Sequence, residues 1–316
     1  MNEILRKELE EIKGVHTTYT DENGNLVLEV EDNEDCNKLY EIANTHKSLK
    51  DANGNLIPTI VKKTIRPRAI LPTYNESYMK GESSPNSFNI TTHRDCHNVP
   101  MGGCQIAPEG AGWVGTLGGA CSFQGVNDGK RYFGCITNWH VANGGRFGQG
   151  APIGQPSGQG PKFGEQRTWE PIGFNNQNNV MDVAFIDCGI DGKHYILPEM
   201  IGLGKLNSSP QLELSVGMTV MKTGRTTGIQ KNGRITATGV TTFVDYGNGN
   251  VGKFVNQIQI QQTGRDFSAA GDSGSLIVDK NVRPTALLFA GSGATTIASP
   301  LKPIIDKFKI SFNLGQ

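Results

Sequence analysis

A mainly β protein is the fold class this sequence predicts, with a small α+β unit ahead of the β-rich part and one helix at its end. Three observations carry that expectation. The 316 residues include 41 glycines, concentrated after Gly102, as many short strands joined by tight turns require. Beyond Gly112 come short β-branched or aromatic runs, among them RYFGCITN, VMDVAFIDC, GRITATGVTTFVDY, KFVNQIQIQQT and PTALLFAG, separated by NDGK, KNG and YGNGN. The helix-strand alternation of a parallel α/β layout is missing there, which leaves a sandwich or a barrel.

Residues 1–66 read as a compact α+β unit. Ile4, Leu5, Leu9 and Ile12 have helical spacing, and the strands HTTYTD and NLVLEV follow, split by the turn ENGN. A second helix is expected over Asp35–Leu49, on Leu39, Ile42 and Ala43, with Asp32 or Asn33 as N-cap and DANGN as its stop. The strand LIPTIVKKTI completes what looks like a small split β-α-β sandwich. Thirteen acidic residues against nine basic ones give this unit a net charge of −4, which reads as a solvated face.

Residues 67–111 shift to Pro, Ser, Asn and Thr and read as a linker or strap lying across the next domain, with protease-sensitive backbone and a composition that suits self-cleavage. Residues 112–316 form the β-rich domain. Its last segment, 301–309, has Leu301, Ile304, Ile305 and Phe308 at helical spacing with Pro303 in the first turn, a helix expected to pack on the second half of that domain.

Thirty basic and thirty acidic residues cancel, so no long-range field favours nucleic acid or an anionic membrane. No run of about 18 apolar residues exists to span a bilayer. The first residues, MNEILRKELEEIKG, have neither the apolar run nor the cleavage site of an export signal, which points to the cytoplasm. In that compartment the six cysteines are expected as thiols, with Cys121 and Cys135 placed to face each other across neighbouring strands. His93, Cys96, His97 and Cys104 are metal-ligand types, but H-x2-C-H-x6-C matches no structural-zinc spacing, so ordinary loop residues are expected and no metal.

The residues that could do chemistry lie in three segments. A serine hydroxyl needs a base to take its proton, a carboxylate to orient that base, and donors for a developing oxyanion. Ser273 lies in AAGDSGS, where glycines let backbone amides turn inward. His140 ends the apolar strand of CITNWHVAN, and Asp182 is placed by alternation on the inner side of NNVMDVAFID, a costly site for a carboxylate without a partner.

In these motifs the chain resembles the trypsin or chymotrypsin-like serine peptidases, of a bacterial and non-secreted type. TNWHV is similar to their histidine motif, DVAF to their aspartate motif and GDSGS to their serine motif, in the same order and at intervals of 42 and 91 residues. The resemblance covers about residues 100–305 and implies two six-stranded antiparallel β-barrels, over about 112–205 and 206–300. It implies His140 as general base and then acid, Asp182 as its orienting carboxylate, Ser273 as nucleophile, and the amides of Gly271 and Ser273 as oxyanion hole. Ser275 departs from the glycine common in secreted digestive members. No Ile-Val start stands near Gly112 to pair with Asp272, so Asp272 is expected to find another partner. VGMTVMKTGRTTGIQKNGRI is similar to the hairpin that opens the second barrel in bacterial members.

By position relative to Ser273, Phe267 and Ser268 are expected at the floor of the substrate pocket and Phe289, Ala290 and Gly291 along its wall, favouring a small or apolar side chain. A register shift of one would put Asp266 there and favour Lys or Arg. The activity implied is a serine endopeptidase acting on a specific protein or peptide substrate, with no metal or organic cofactor and with a regulatory partner at the N-terminal unit. Two alternatives stay open: a catalytically silent peptidase-fold scaffold, and an esterase using the same triad.

Overall fold

The computed structural model describes residues 9–46, 48–50, 54, 56–69, 91–190, 193–194 and 196–314. Strands β1 (Val15–Thr20) and β2 (Leu26–Val30) form the first hairpin, its turn closed by Asp21, whose carboxylate accepts the N–H of Asn23 and of Asn25. Helix α1 (Glu34–His46) starts where Asn33 Oδ1 accepts the N–H of Cys36 at 2.9 Å. It stops short of Leu49 because Ser48–Lys50 is strand β3, whose backbone pairs with β4 (Leu56–Lys63). β4 runs parallel to β2, and Leu26, Leu28, Val30, Leu39 and Val61 make the core under the helix. The helix expected before Ile12 falls mainly on residues 1–8, outside the described residues, as does most of the expected self-cleaved linker, 70–90.

After the short helix α2 (Thr91–Arg94), the first barrel comprises β5 (Gln105–Pro108), β6 (Gly115–Thr116), β7 (Gly119–Gln124) and β8 (Arg131–Thr137). Helix α3 (Trp139–Ala142) follows, and then β9 (Pro152–Gly154), β10 (Lys162–Trp169), β11 (Asn178–Asn179) and β12 (Ala184–Asp187). The order is β6-β5-β9-β10-β12-β8-β7, while β11 pairs with the second barrel. β6 and β7 are two halves of one bent stretch, so the chain itself closes a six-stranded ring. β5 lies inside the span read as linker: its alternation is masked by Pro108, yet both its faces are buried. Two small hairpins, β13 (Gly189–Ile190) with β14 (Lys193–His194) and β15 (Glu199–Met200) with β16 (Gly204–Lys205), lead onward.

The second barrel comprises β17 (Thr219–Gly224), β18 (Gly228–Asp245), β19 (Val251–Gln261), β20 (Leu276–Asp279), β21 (Pro284–Ser292) and β22 (Thr295–Pro300). They close as β18-β19-β22-β21-β20-β17-β18, so the molecule has the two antiparallel barrels of a chymotrypsin-like fold. KNG is not a turn. β18 runs through it, and the space that a Cβ at Gly233 would need is taken by the Phe267 ring. β1 adds to β18, Thr17 opposite Thr242, and thereby fuses the N-terminal strands and the second barrel into an 11-stranded sheet.

Helix α4 (Leu301–Phe308) does more than cover the second barrel. Leu301, Ile304 and Phe308 join Phe123 and Phe185 of the first barrel to Leu276 and Leu287 of the second, with the Phe308 and Phe185 rings 4.8 Å apart. All six cysteines are thiols. Cys121 does not face Cys135: the β7–β8 register sets Cys135 opposite Ala120, and its sulfur lies 4.0 Å from that of Cys188. Among the described residues no helix is long and apolar enough to cross a membrane.

Candidate active site

The two barrels meet along the residues that the sequence singles out. β8 delivers the chain to α3, a single turn that carries His140 almost wholly inside. Asp182 lies in extended backbone two residues ahead of β12 rather than within the strand, and is fully buried. Its burial is balanced by donors. His140 Nδ1 is 2.5 Å from Oδ2, the His140 N–H approaches Oδ1 at 3.3 Å, and the Tyr246 hydroxyl donates to Oδ2 at 2.9 Å. Asn138 Nδ2 ties down the Asp182 carbonyl at 2.7 Å. Tyr246 stands at the end of β18 with its ring edge-on to the imidazole, 5.7 Å between centroids. Burial, and next the Asp182 charge, push its phenol well above the ordinary range, so it stays a donor.

The serine turn is docked onto the first barrel through β6. The Thr116 N–H donates to the Ser273 carbonyl at 2.9 Å and Thr116 Oγ1 to the Gly271 carbonyl at 2.8 Å. Gly274 has φ +94°, and a Cβ there would stand 2.1 Å from the Thr116 carbonyl oxygen, so only glycine lets the turn sit this close. Gly271 also has positive φ, +96°. Among the described residues no acceptor takes the N–H of Gly271 or of Ser273.

The structure joins His140 to Asp182 but does not hydrogen-bond Ser273 to His140. Ser273 Oγ donates to the Phe289 carbonyl at 3.3 Å, and His140 Nε2 is buried with no partner among the described residues.

Asp272 has the other partner expected for it. Lys222 of β17 lies 2.8 Å away, both side chains fully buried, and the carboxylate also accepts the N–H groups of Ala269, Thr226 and Thr227 and the Thr227 hydroxyl. Burial raises the Asp272 carboxyl, but the Lys222 charge and these donors outweigh it and hold the group below the ordinary range.

A cavity of about 360 Å³ adjoins Ser273, bounded by Ser268, Ala269, Ala270, Ala290 and Gly291. Phe267 and Phe289 do not line it. Their rings are fully buried in two separate core clusters, because β-strand alternation and the 266–270 loop send the small neighbours outward instead. Asp266 borders the cavity, as does Arg68 from the segment after β4. The His93, Cys96, His97 and Cys104 group is dispersed: His93 Nε2 contacts Thr223 Oγ1 at 2.7 Å, the His97 N–H donates to Gln155, and Cys104 is buried beneath Met101. Among the described residues no set of three or more ligand types converges on a metal position.

Three residues of the site escaped the sequence reading. Lys222 had a signal, since strand alternation puts it on the inner side with Val220. Tyr246 and Arg68 had none, being brought in from remote stretches of chain.

In fold the chain is similar to bacterial chymotrypsin-like serine proteases. It matches Cellulomonas bogoriensis chymotrypsin at 22% identity, covering 67% of this chain and 96% of that one, with a TM-score of 0.46. It matches a Nocardiopsis protease at 18% identity, 67% and 97% coverage and a TM-score of 0.47. Thermobifida fusca protease A matches at 16% identity, 67% and 96% coverage and a TM-score of 0.47. No protein-family model matches the chain, and no curated protein does.

Proposed function

We propose that this chain is a serine endopeptidase that hydrolyses peptide bonds through an acyl-enzyme, with Ser273 as nucleophile, His140 as base and then acid, and Asp182 as orienting carboxylate. The observation that carries the reading is the buried His140–Asp182 contact at 2.5 Å, which leaves Nε2 unpartnered at the seam where the serine turn docks. For reaction, the Ser273 hydroxyl turns from the Phe289 carbonyl to Nε2. His140 takes its proton as Oγ bonds to the scissile carbon, and the carbonyl electron pair moves onto oxygen. The N–H groups of Gly271 and Ser273, without an acceptor among the described residues, are the donors for that oxyanion. Its collapse expels the amine, protonated by His140, and water repeats the sequence on the acyl-enzyme. Asp182, held by Tyr246, keeps the proton on Nδ1 and favours the imidazolium.

The small residues bounding the cavity suit a small or apolar side chain before the scissile bond, on a protein or peptide substrate met in the cytoplasm. The triad and oxyanion donors need no metal or organic cofactor. A regulatory partner at the N-terminal unit belongs to the same reading. The Ser273–Phe289 contact is the one feature that favours the silent scaffold.

Fluorophosphonate labelling of wild type beside Ser273→Ala and His140→Ala decides between the two. Labelling of wild type alone, with peptide-library cleavage after one residue class, is the expected result. Well-folded wild type that does not label refutes the enzyme. Labelling and ester hydrolysis without peptide cleavage would make it an esterase.

A further inference from the structure

On the β20 side, backbone bonds to β21 end at Leu288, and among the described residues the last part of β21 has no barrel strand on that side. The chain's own segment fills that side. The Arg68 N–H donates to the Gly291 carbonyl at 3.1 Å and the Gly291 N–H returns a bond to the Arg68 carbonyl at 3.2 Å, a closed antiparallel pair. The segment's other edge is held as well: the Ala69 N–H donates to the Asp245 carbonyl and the Asp245 N–H to the Pro67 carbonyl, each at 3.1 Å. Upstream, Ser292 Oγ donates to the Ile65 carbonyl at 2.7 Å. The Ala69 methyl is buried with Trp139 and Phe289.

Direction and register matter more than contact alone. Antiparallel to β21, the segment runs toward Phe289, whose carbonyl holds Ser273 Oγ. A strand kept in this register meets Phe289 two residues after Arg68, so a peptide lying there directs its backbone at the nucleophile. Arg68 also borders the cavity that touches Ser273. Main-chain bonds to a bare strand edge are how extended peptides gain affinity with little regard to sequence, and these bonds are already satisfied from within.

We infer that Pro67–Ala69 is an internal occupant of the groove that would take the acyl side of a substrate, an autoinhibitory strand that an incoming peptide must displace. This rests on the peptidase reading above. The ligand class it competes with is an extended peptide, and its release is the step at which a partner of the N-terminal unit would act, since β4 leads directly into it.

The test compares wild type with Arg68→Pro, which deletes the donor to Gly291, and with Arg68→Glu, which keeps that N–H but sets a carboxylate beside Asp245, now 3.8 Å from the Arg68 guanidinium. The second guards against a proline variant that does not fold. Cleavage of fluorogenic tetrapeptide amides is measured beside fluorophosphonate labelling, which needs Ser273 and His140 but not the groove. The expected result is a KM at least fivefold lower in a folded variant that still labels. A KM within twofold of wild type in both variants overturns the inference while labelling still upholds the enzyme. If no protein labels, the catalytic reading fails and occupancy is read by calorimetry with acetyl-Arg-Pro-Arg-Ala-amide: tenfold tighter binding to the variants supports the internal strand, and equal binding overturns it.

Discussion

Lys222→Met removes the ammonium that stands 2.8 Å from Asp272 and leaves a fully buried carboxylate beside Ser273, the proposed nucleophile. Removing one partner of a buried ion pair costs about 3–5 kcal/mol, because the remaining charge stays desolvated. Asp272 keeps its N–H and hydroxyl donors from Ala269, Thr226 and Thr227, so the loss is placed at the lower end, about 3 kcal/mol. A domain with about 5–15 kcal/mol of stability survives that, folded but weakened. The activity is expected to suffer more. Asp272 lies between the two proposed oxyanion donors, and a carboxylate drawn toward water turns their N–H groups away, a loss on the order of 100-fold in kcat. Urea unfolding at pH 7 measures the stability and tetrapeptide hydrolysis the rate. Lys222→Met with Asp272→Asn removes both charges and recovers at least half the lost stability. The sign with pH follows from the depressed Asp272 carboxyl: its contribution is present above the unfolded value of about 3.9 and disappears as pH falls through the lower folded one. The gap between wild type and the single variant therefore narrows as acid protonates the carboxylate that Lys222 no longer holds ionised. A single variant within about 1 kcal/mol of wild type, or a double variant no better than the single, refutes the reasoning.

Other expectations follow from the same contacts. Tyr246→Phe deletes the hydroxyl on Asp182 Oδ2 but keeps the ring against Phe174 and Phe254, so kcat drops about tenfold with KM unchanged. A raised KM with intact kcat would instead assign Tyr246 to the groove. Burial holds His93 and His16 neutral, each lowered to about 4. The unfolded chain then binds more protons between about pH 6.5 and 4, and stability falls by about 2 kcal/mol per histidine from pH 7 to 5. His93→Gln removes its share of that slope in urea titrations at the two pH values, and an unchanged slope would show that His93 is protonated inside the fold.

Elements whose signal is local were legible in the chain. The β1–β2 hairpin is closed by DENGN, the Asn33 cap by side-chain chemistry three residues long, and α4 by Leu301, Ile304 and Phe308 on one face. Errors arose where a local pattern had a different tertiary partner. KNG has turn composition, but β18 continues through it with a register shift against β17, and the Phe267 ring fills the space that a Cβ at Gly233 would need. Cys121 and Cys135 belong to adjacent strands, yet a shift of one position in register turns them to opposite faces. Phe267 and Phe289 were expected in the pocket because spacing from Ser273 says where a loop runs and not which way a ring points.

For the site, the residue types and their order along the chain were determined by sequence alone: a histidine after an apolar strand, an aspartate too costly to bury unpaired, and a serine among glycines. Each of these is a chemical requirement written at one position. Which groups touch was decided only by tertiary packing. Closure of the second barrel brings Lys222 to Asp272, the meeting of the two barrels brings Tyr246 to Asp182, and the segment after β4 laid on β21 brings Arg68 to Gly291, over 50, 64 and 223 positions of chain. Such contacts depend on strand register and barrel packing summed over many residues, and no short stretch of sequence carries that information.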